Sequence, residues 1–479
     1  MKLSAAALAL ALASPAFGPA FAQDSGTKQY DDGGIYTGAF KEGKRHGQGT
    51  YTLPNGYEYS GNWVDGEIRG QGTARFPNGS LYEGQFAAGK PDGFGKIIFA
   101  DGGTYEGDWS DGKINGRGIA SYANGARYEG EFRNAAQHGT GVLVSPNGYR
   151  YEGQWVDGVK EGRGKISYPD GAEYEGTLKD GRRDGDGSLV MTDGMTYVGQ
   201  WKDGQIDGTG TLTQSNGDVY TGTLKAGLRE GKGRMAYANG DVYEGDFMGD
   251  ARNGKGKFTG TDGFGYTGDW VNGLFEGQGI VTYPDGSVYE GALRADLADG
   301  KGKITYPDQS TYEGDWAKGV IEGTGTARYA NGLVYEGQFE NALISGQGTM
   351  TYPDGYVYEG AWVAGKREGQ GRATYADGSV YEGEFAAGQR SGQGNFSRED
   401  GFAYTGTWAN GQIDGAGQAT YPTGDVYIGS FKNGKRHGEG EMRYADGVVS
   451  SGEWEEGRLT KSDAPLEDEG SGEAGTDSN

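Results

Sequence analysis

Tyrosine recurs every 23 residues along this 479-residue chain, at eighteen positions from Tyr36 to Tyr427. A fixed period of this kind is typical of a repeat array, in which one structural unit is copied many times and stabilised by its neighbours. We number positions within the repeat from 0 at the tyrosine. A truncated nineteenth copy begins at Ser450.

Glycine occupies four fixed positions of the repeat. Positions 2, 11 and 13 are glycine in all eighteen full copies, and position 20 is glycine in every copy except at Gln309. Each helix-interior glycine costs roughly 1 kcal/mol relative to alanine, so four or more in 23 residues exclude helical repeats. In the copy that begins at Tyr105 the four are Gly107, Gly116, Gly118 and Gly125.

Apolar residues alternate within the repeat. Position 4 is always large and apolar and holds all nine tryptophans, and position 15 is apolar throughout. Positions 0, 2 and 4 share parity, as do 15 and 17, which is the period of a strand that buries one face. The repeat therefore predicts two short antiparallel strands, with the position 2 glycine leaving room for neighbouring rings to lie across the backbone.

Turn residues separate the predicted strands. Asp-Gly or Asn-Gly fills positions 19 and 20 in most copies, as in Asn55-Gly56, and this dipeptide is typical of a type I′ turn. The other connection, positions 5 to 10, varies more and predicts a looser loop. Its usual position 7 glycine is replaced in four copies, at Ala135, Asp250, Asp296 and Ala342.

The unit Tyr-Glu-Gly-Asp-Trp, followed by the spaced glycines and the Asn-Gly turn in the copy beginning at Tyr105, resembles the MORN (membrane occupation and recognition nexus) repeat. The resemblance covers roughly residues 34–457. It implies an all-β fold: an elongated single-layer array of about 18 stacked β-hairpins. It also implies roles in scaffolding and protein assembly, and sometimes contact with acidic phospholipids, without enzymatic activity.

The two ends differ from the array. Met1-Lys2, an apolar run from Leu3 and the Ala20-Phe21-Ala22 sequence predict a secretory signal peptide over residues 1–22, cleaved after Ala22. A short lead-in (23–33), the array (34–457) and an acidic disordered tail (458–479) follow. The style of the signal indicates a bacterial protein with a periplasmic or secreted destination.

The charge of the chain limits its partners. Its net charge of −24 repels nucleic acid and disfavours binding to anionic membranes, despite the name of the resembling family. Position 1 is Glu in eleven copies and position 10 is Asp or Glu in ten, which predicts two acidic rows. Solubility or calcium bridging could account for these rows.

No residues of the sequence indicate catalysis, a cofactor or a metal site. The three histidines, His46, His138 and His437, all occupy position 10 in distant copies and predict loop residues. The segment from Gly84 to Lys90 resembles the first part of a P-loop, but the next residue is Pro91, where a P-loop needs Ser or Thr. Tryptophan alternates with Phe or Leu at position 4 except for one slip between Trp201 and Trp270, which indicates either duplication of repeat pairs or a ring ladder that binds a ligand.

We therefore predict a non-enzymatic exported scaffold that binds one or more unidentified protein partners, or acts as a spacer in the cell envelope, and could form a homo-oligomer. The alternative is a surface that binds envelope lipid or glycan through exposed aromatic columns. The aromatic residues concerned are Tyr59, Trp63, Tyr105, Trp109, Tyr151, Trp155, Tyr197, Trp201, Trp270, Tyr312, Trp316, Tyr358, Trp362, Tyr404, Trp408 and Trp454.

Overall fold

The fold is all-β. The computed structural model describes residues 24–463, and every regular element in this range is a strand. This part of the chain contains no helix that is long and apolar enough to cross a membrane. The predicted signal peptide and residues 464–479 of the predicted tail lie outside the described residues.

The described chain divides into two compact units at Gly227/Leu228. This boundary lies between Trp201 and Trp270, where the tryptophan spacing slips. The strands of the first unit are β1 Asp24–Gln29, β2 Ile35–Lys41, β3 Lys44–Thr52, β4 Glu58–Val64, β5 Glu67–Arg75, β6 Leu81–Ala87, β7 Lys90–Ile98, β8 Thr104–Ser110, β9 Lys113–Ser121, β10 Arg127–Arg133, β11 Ala136–Val144, β12 Arg150–Val156, β13 Val159–Ser167, β14 Glu173–Lys179, β15 Arg182–Val190, β16 Thr196–Lys202, β17 Gln205–Thr213 and β18 Val219–Lys225.

The second unit continues the same alternation of seven-residue and nine-residue strands. Its strands are β19 Leu228–Ala236, β20 Val242–Met248, β21 Ala251–Thr259, β22 Gly265–Val271, β23 Leu274–Thr282, β24 Val288–Arg294, β25 Leu297–Thr305, β26 Thr311–Ala317, β27 Val320–Arg328, β28 Val334–Glu340, β29 Leu343–Thr351, β30 Val357–Val363, β31 Lys366–Thr374, β32 Val380–Ala386, β33 Gln389–Ser397, β34 Ala403–Ala409, β35 Gln412–Thr420, β36 Val426–Lys432, β37 Lys435–Arg443, β38 Val449–Glu455 and β39 Arg458–Ser462.

Strand pairing follows chain order in both units. Each strand pairs antiparallel with the strand before it and the strand after it, from β1 to β18 in the first unit. The second unit repeats this order from β19 to β39. The predicted stack of β-hairpins is thereby confirmed.

The seventeen full repeats whose two strands lie within one unit each contain a bulge that the strand period does not reveal. In the copy that begins at Tyr105, Gly107 pairs with Gly118 and Trp109 pairs with Ile114. Asp108 alone therefore faces three residues of the neighbouring strand. Bulges leave backbone groups unpaired and increase local twist. Gly116, one of the three, has a left-handed φ of 85°. Position 11 is left-handed in all eighteen copies, which explains its glycine.

The two turns are the reverse of the sequence-based prediction. Asp111 and Gly112 (positions 6 and 7) both have positive φ, 49° and 79°, and directly join the paired residues Ser110 and Lys113. This is the two-residue type I′ geometry. At the Asn-Gly turn only Gly125 is left-handed, and it donates its N–H to the Tyr122 carbonyl at 2.8 Å. That loop is a three-residue connection with a left-handed final glycine, so the type I′ prediction there was wrong.

Strands also form at both margins of the predicted array. β1 lies within the predicted lead-in and pairs along its whole length with β2. β39, within the first residues of the predicted tail, pairs with β38 through contacts such as Trp454 with Leu459. The structure differs here from the sequence-based boundaries, because a terminal strand needs only one partner and therefore no complete repeat.

Candidate interaction surface

In each unit, one face of the sheet carries the aromatic columns. The ring of Tyr105 contacts Trp109 at 5.6 Å between centroids and Phe132 of the next repeat at 5.1 Å, both edge-to-face. This geometry stabilises aromatic pairs. Of the residues in the predicted aromatic columns, only Trp316 is half-buried. The buried ones are Tyr59, Tyr105, Tyr151, Tyr197, Tyr312, Tyr358, Tyr404, Trp63, Trp109, Trp155, Trp201, Trp270, Trp362, Trp408 and Trp454.

The tryptophans connect successive repeats. Each of the nine donates its indole N–H to the carbonyl of the position 13 glycine in the preceding repeat, as Trp109 does to Gly95 at 3.2 Å. Their rings are therefore engaged inside the array. This burial contradicts a ligand-binding surface built from an exposed tryptophan column. The exposed rings are Phe94 at position 12 and several rings at position 17, such as Tyr283 and Tyr306.

The position 0 tyrosines supply a hydrogen-bond donor to the backbone carbonyl at the bulge. All eighteen hydroxyls donate to the carbonyl of the residue three positions later, as Tyr105 does to Asp108 at 2.9 Å. A buried backbone carbonyl without a partner is costly. Burial raises the pKa of Tyr59 and Tyr312 to about 12, so these phenols stay neutral at physiological pH.

The regular spacing of glycines within the repeat has two physical causes. A β-carbon at Gly107 would lie 2.5 Å from the Gly118 α-carbon, and one at Gly118 would lie 2.4 Å from a ring carbon of Tyr105, too close in both cases. The sequence analysis predicted room for rings at position 2 only, whereas the ring carbons of Tyr105 lie over the position 13 glycine, Gly118. Gly116 and Gly125 instead have left-handed backbone conformations, with φ of 85° and 84°.

Arginines at position 9 form a second connection between repeats, which sequence reasoning missed. The guanidinium of Arg252 lies 4.2 Å from the centroid of Trp270 and donates to the Gly273 carbonyl at 3.1 Å. Arg45, Arg183, Arg390 and Arg436 stack on the next tryptophan in the same way. The sequence feature that could have predicted this contact is the arginine that stands 18 residues before several of the tryptophans.

The position 10 acids cap the tight turn of the next repeat. In all ten copies the carboxylate accepts the N–H of the first turn residue, 19 positions later, as Asp92 accepts from Asp111 at 3.0 Å. His46 and His138 accept the same N–H through Nδ1 at 3.5 and 3.4 Å. These side chains therefore stabilise the connection between repeats, a role that the sequence analysis did not assign to them.

The position 1 glutamates lie on the opposite, polar face. Five of them form ion pairs with neighbouring cations: Lys96–Glu106, Arg127–Glu129, Arg150–Glu152, Arg234–Glu244 and Arg372–Glu382, at 2.7 to 3.3 Å. All of these pairs are exposed, so each contributes little to stability. The row is consequently available to a partner in solution.

A shallow groove runs along the polar face of the second unit. It has a volume of about 1110 Å³ and extends from Gln278 to Gly360, and its floor is the backbone of paired glycines such as Gly314 and Gly325. Glu290, Glu313, Glu336 and Glu359 line it. In the first unit, a groove of about 800 Å³ occupies the corresponding face between Phe94 and Arg163.

Groups of three or more His, Asp or Glu side chains with the arrangement of a metal site do not occur within residues 24–463. In the same range, every buried side-chain nitrogen or oxygen has a hydrogen-bond partner. The candidate site is therefore the polar face itself, a periodic surface of carboxylates, hydroxyls and amides on a glycine floor.

The fold and this surface define a β-hairpin repeat protein with a buried aromatic face and an exposed polar face. The model of the MORN repeat family matches eighteen consecutive segments of the sequence: residues 36–56, 59–81, 82–104, 105–127, 128–148, 151–173, 174–196, 197–219, 220–242, 243–264, 266–288, 289–311, 312–334, 335–355, 358–380, 381–402, 404–426 and 427–449. The chain therefore belongs to the MORN repeat family. No individual curated protein matches the sequence.

Solved structures show remote likeness. The Drosophila melanogaster SAS-4 (dCPAP) TCP domain, in complex with a proline-rich motif of Ana2, is 18% identical and matches 33% of this chain and 89% of its own, with a TM-score of 0.22. The Danio rerio CPAP TCP10 domain with a STIL peptide is 16% identical over 56% and 93%, with a TM-score of 0.16. A streptogramin B lyase is 12% identical over 61% and 90%, with a TM-score of 0.11. Such scores carry no argument about function.

Proposed function

We propose that this protein is a non-enzymatic, exported scaffold that binds protein partners, or acts as a spacer, in a bacterial cell envelope. The observation that supports the scaffold role is the periodic polar face. Equivalent side chains of successive repeats lie two strand spacings apart, roughly 9.6 Å. Several weak contacts to such a row act together through a high effective concentration.

The distribution of chemical groups supports a non-enzymatic role. The position 10 acids and two of the histidines bind backbone N–H groups of the next repeat, and the position 0 hydroxyls bind backbone carbonyls. Residues held in this way maintain the array. Export is supported by the signal-like sequence that ends at Ala22.

The test is affinity capture from a cell-envelope extract with the mature chain, residues 23–479, as bait. We expect one or a few proteins to be enriched in a salt-sensitive manner, because the polar face is charged. In a separate experiment, the full-length chain of residues 1–479 is expressed in a bacterium and recovered from the envelope fraction, and mass spectrometry should show that it begins at Gln23. Capture of no specific protein would contradict the scaffold role, and a chain that retains Met1 would contradict export.

A further inference from the structure

Four consecutive repeats of the second unit expose an aliphatic side chain at position 8. Leu274, Leu297, Val320 and Leu343, which we call the aliphatic row, are 42–52% exposed. The same position holds Lys, Arg, Glu or Gln in ten other repeats, as at Lys113. The tight turn therefore does not require an aliphatic residue here. Exposed apolar side chains in a contiguous row indicate a contact surface.

A row of glutamates without ion pairs runs beside the aliphatic row, in the copies that begin at Tyr312, Tyr335 and Tyr358. Within residues 24–463, Glu313, Glu336 and Glu359 form no ion pair within 4.0 Å, unlike the paired Glu106, Glu129 and Glu152 of the first unit. Glu336 lies opposite Thr326 on one side and Thr349 on the other, so neither neighbouring strand supplies a cation. Lys303 stands opposite Glu313 and Arg372 stands opposite Glu359, yet neither lies within 4.0 Å of that carboxylate. Arg372 instead pairs with Glu382 at 3.3 Å, and Lys301 pairs with Asp315 at 2.6 Å.

The glycine-floored groove lies beside these glutamates. Positions 1 and 8 share the polar face. Position 5 lies four residue steps along the strand from position 1, and it pairs with position 8, as Arg294 pairs with Leu297. At about 3.3 Å per residue the two rows lie roughly 13 Å apart. An α-helix with its side chains is about 10–12 Å in diameter, so one helix along the groove reaches both rows.

We propose that the repeats spanning residues 266–380 bind an amphipathic helix of a partner protein, with aliphatic side chains towards the aliphatic row and Lys or Arg towards Glu313, Glu336 and Glu359. One heptad of helix rises about 10.5 Å, close to the roughly 9.6 Å repeat spacing, so successive heptads meet successive repeats. A second copy of this chain fits less well, because it would bring two acidic rows together. This inference rests on the proposed scaffold function.

The probe is a fluorescent peptide of about three heptads with Leu on one face and Lys on the other, and the matched peptide carries Glu in place of Lys. Binding to the mature chain is measured by anisotropy at low ionic strength. We expect the V320K/L343K and E336Q/E359Q variants each to weaken binding at least tenfold. The matched variants V159K and E152Q change the same positions in the first unit and should leave affinity unchanged.

Circular dichroism of each variant confirms that the sheet is retained, since all the substituted side chains are exposed. The proposal is overturned if the first-unit variants lose as much affinity as the second-unit variants. It is also overturned if the Glu peptide binds as tightly as the Lys peptide, or if the bound peptide is not helical. Envelope capture with V320K/L343K separates it from the scaffold function. If the unsubstituted chain and V320K/L343K capture the same partner, the scaffold function is retained and the proposed helix-binding surface is contradicted. If only the unsubstituted chain captures the partner, both the scaffold function and the surface are supported.

Discussion

At the scale of the residue, left-handed backbone positions govern much of the repeat. Gln309 replaces the position 20 glycine and still has a φ of 70°. The sequence analysis could identify the missing glycine but not this conformation, because a substituted turn could equally have changed its geometry. The retained φ shows that the surrounding hairpin imposes the conformation. For an L-residue other than Asn or Asp, that conformation is unfavourable by about 1–2 kcal/mol.

Gln309→Gly is therefore expected to stabilise its hairpin. The relief of backbone strain exceeds the extra chain entropy of glycine in the unfolded state, which leaves a gain of about 0.5–1 kcal/mol. Native-state hydrogen exchange of the amides in β25 and β26 measures the local opening free energy. The reverse change, Gly286→Gln, introduces a side chain at a φ of 89° and should lower the same quantity in its own hairpin. Unchanged protection in both variants would contradict the argument.

At the scale of the element, the strands could be predicted from the sequence and the bonds between them could not. Alternation of Tyr, Gly and Trp revealed the buried face, because side chains of a strand alternate between faces. The bulge opposite Asp108 has no such period. Once it forms, it determines which carbonyl Tyr105 binds and which N–H the Asp108 carboxylate accepts, namely that of Arg117 at 2.9 Å.

The interaction surface was still harder to predict. Asp-Gly and Asn-Gly occur in both two-residue and three-residue hairpin loops, so the dipeptide alone could not identify the tighter turn. The acidic residues of positions 1 and 10 looked equivalent in sequence, yet Asp92 caps a turn whereas Glu336 lies free of ion pairs on the polar face. The difference depends on which face each strand position occupies after the bulge.

Arg252→Ala is expected to destabilise the contact between its hairpin and the next. It removes both the stack on Trp270 and the hydrogen bond to the Gly273 carbonyl, together worth about 2 kcal/mol. Hydrogen exchange of the β22–β23 amides measures the loss. The local opening free energy of Arg252→Lys should lie between those of the unsubstituted chain and Arg252→Ala, because an ammonium group cannot maintain both contacts.

The matched control is Arg234→Ala. Arg234 pairs with Glu244 at 3.0 Å on the exposed polar face, where such a pair contributes less than about 1 kcal/mol. Its removal should leave local protection nearly unchanged. A loss as large as that of Arg252→Ala would show that the stack on tryptophan is unimportant.

At the scale of the whole molecule, one tyrosine column contributes to the stability of every full repeat. Burial raises the pKa of many of these phenols above the ordinary value of 10, to about 12 for Tyr82, Tyr243, Tyr335 and Tyr404. Because the folded pKa exceeds the unfolded one, the neutral phenol contributes stability in full below pH 10, and this contribution is lost as pH rises through about 12. The column thus makes stability sensitive to alkali.

We expect the sheet to unfold between about pH 10 and 12, with tyrosinate absorbance and loss of the β circular dichroism signal rising together for the buried column. The net charge of −24 adds general repulsion, which salt screens. Repeating the titration in about 1 M salt separates the two causes, since screening does not relieve burial of a phenolate. A midpoint shifted upward by a full pH unit in salt would assign the transition to repulsion instead.

The indole bond between neighbouring repeats has a consequence for synthesis on the ribosome. Trp109 reaches back only 14 residues to Gly95, and Asp111 reaches back 19 to Asp92. Each hairpin therefore finds the acceptors of these two bonds on a segment that has already left the exit tunnel. Nascent chains with such short-range contacts can fold at the pace of translation, one hairpin after another, without waiting for the carboxyl terminus.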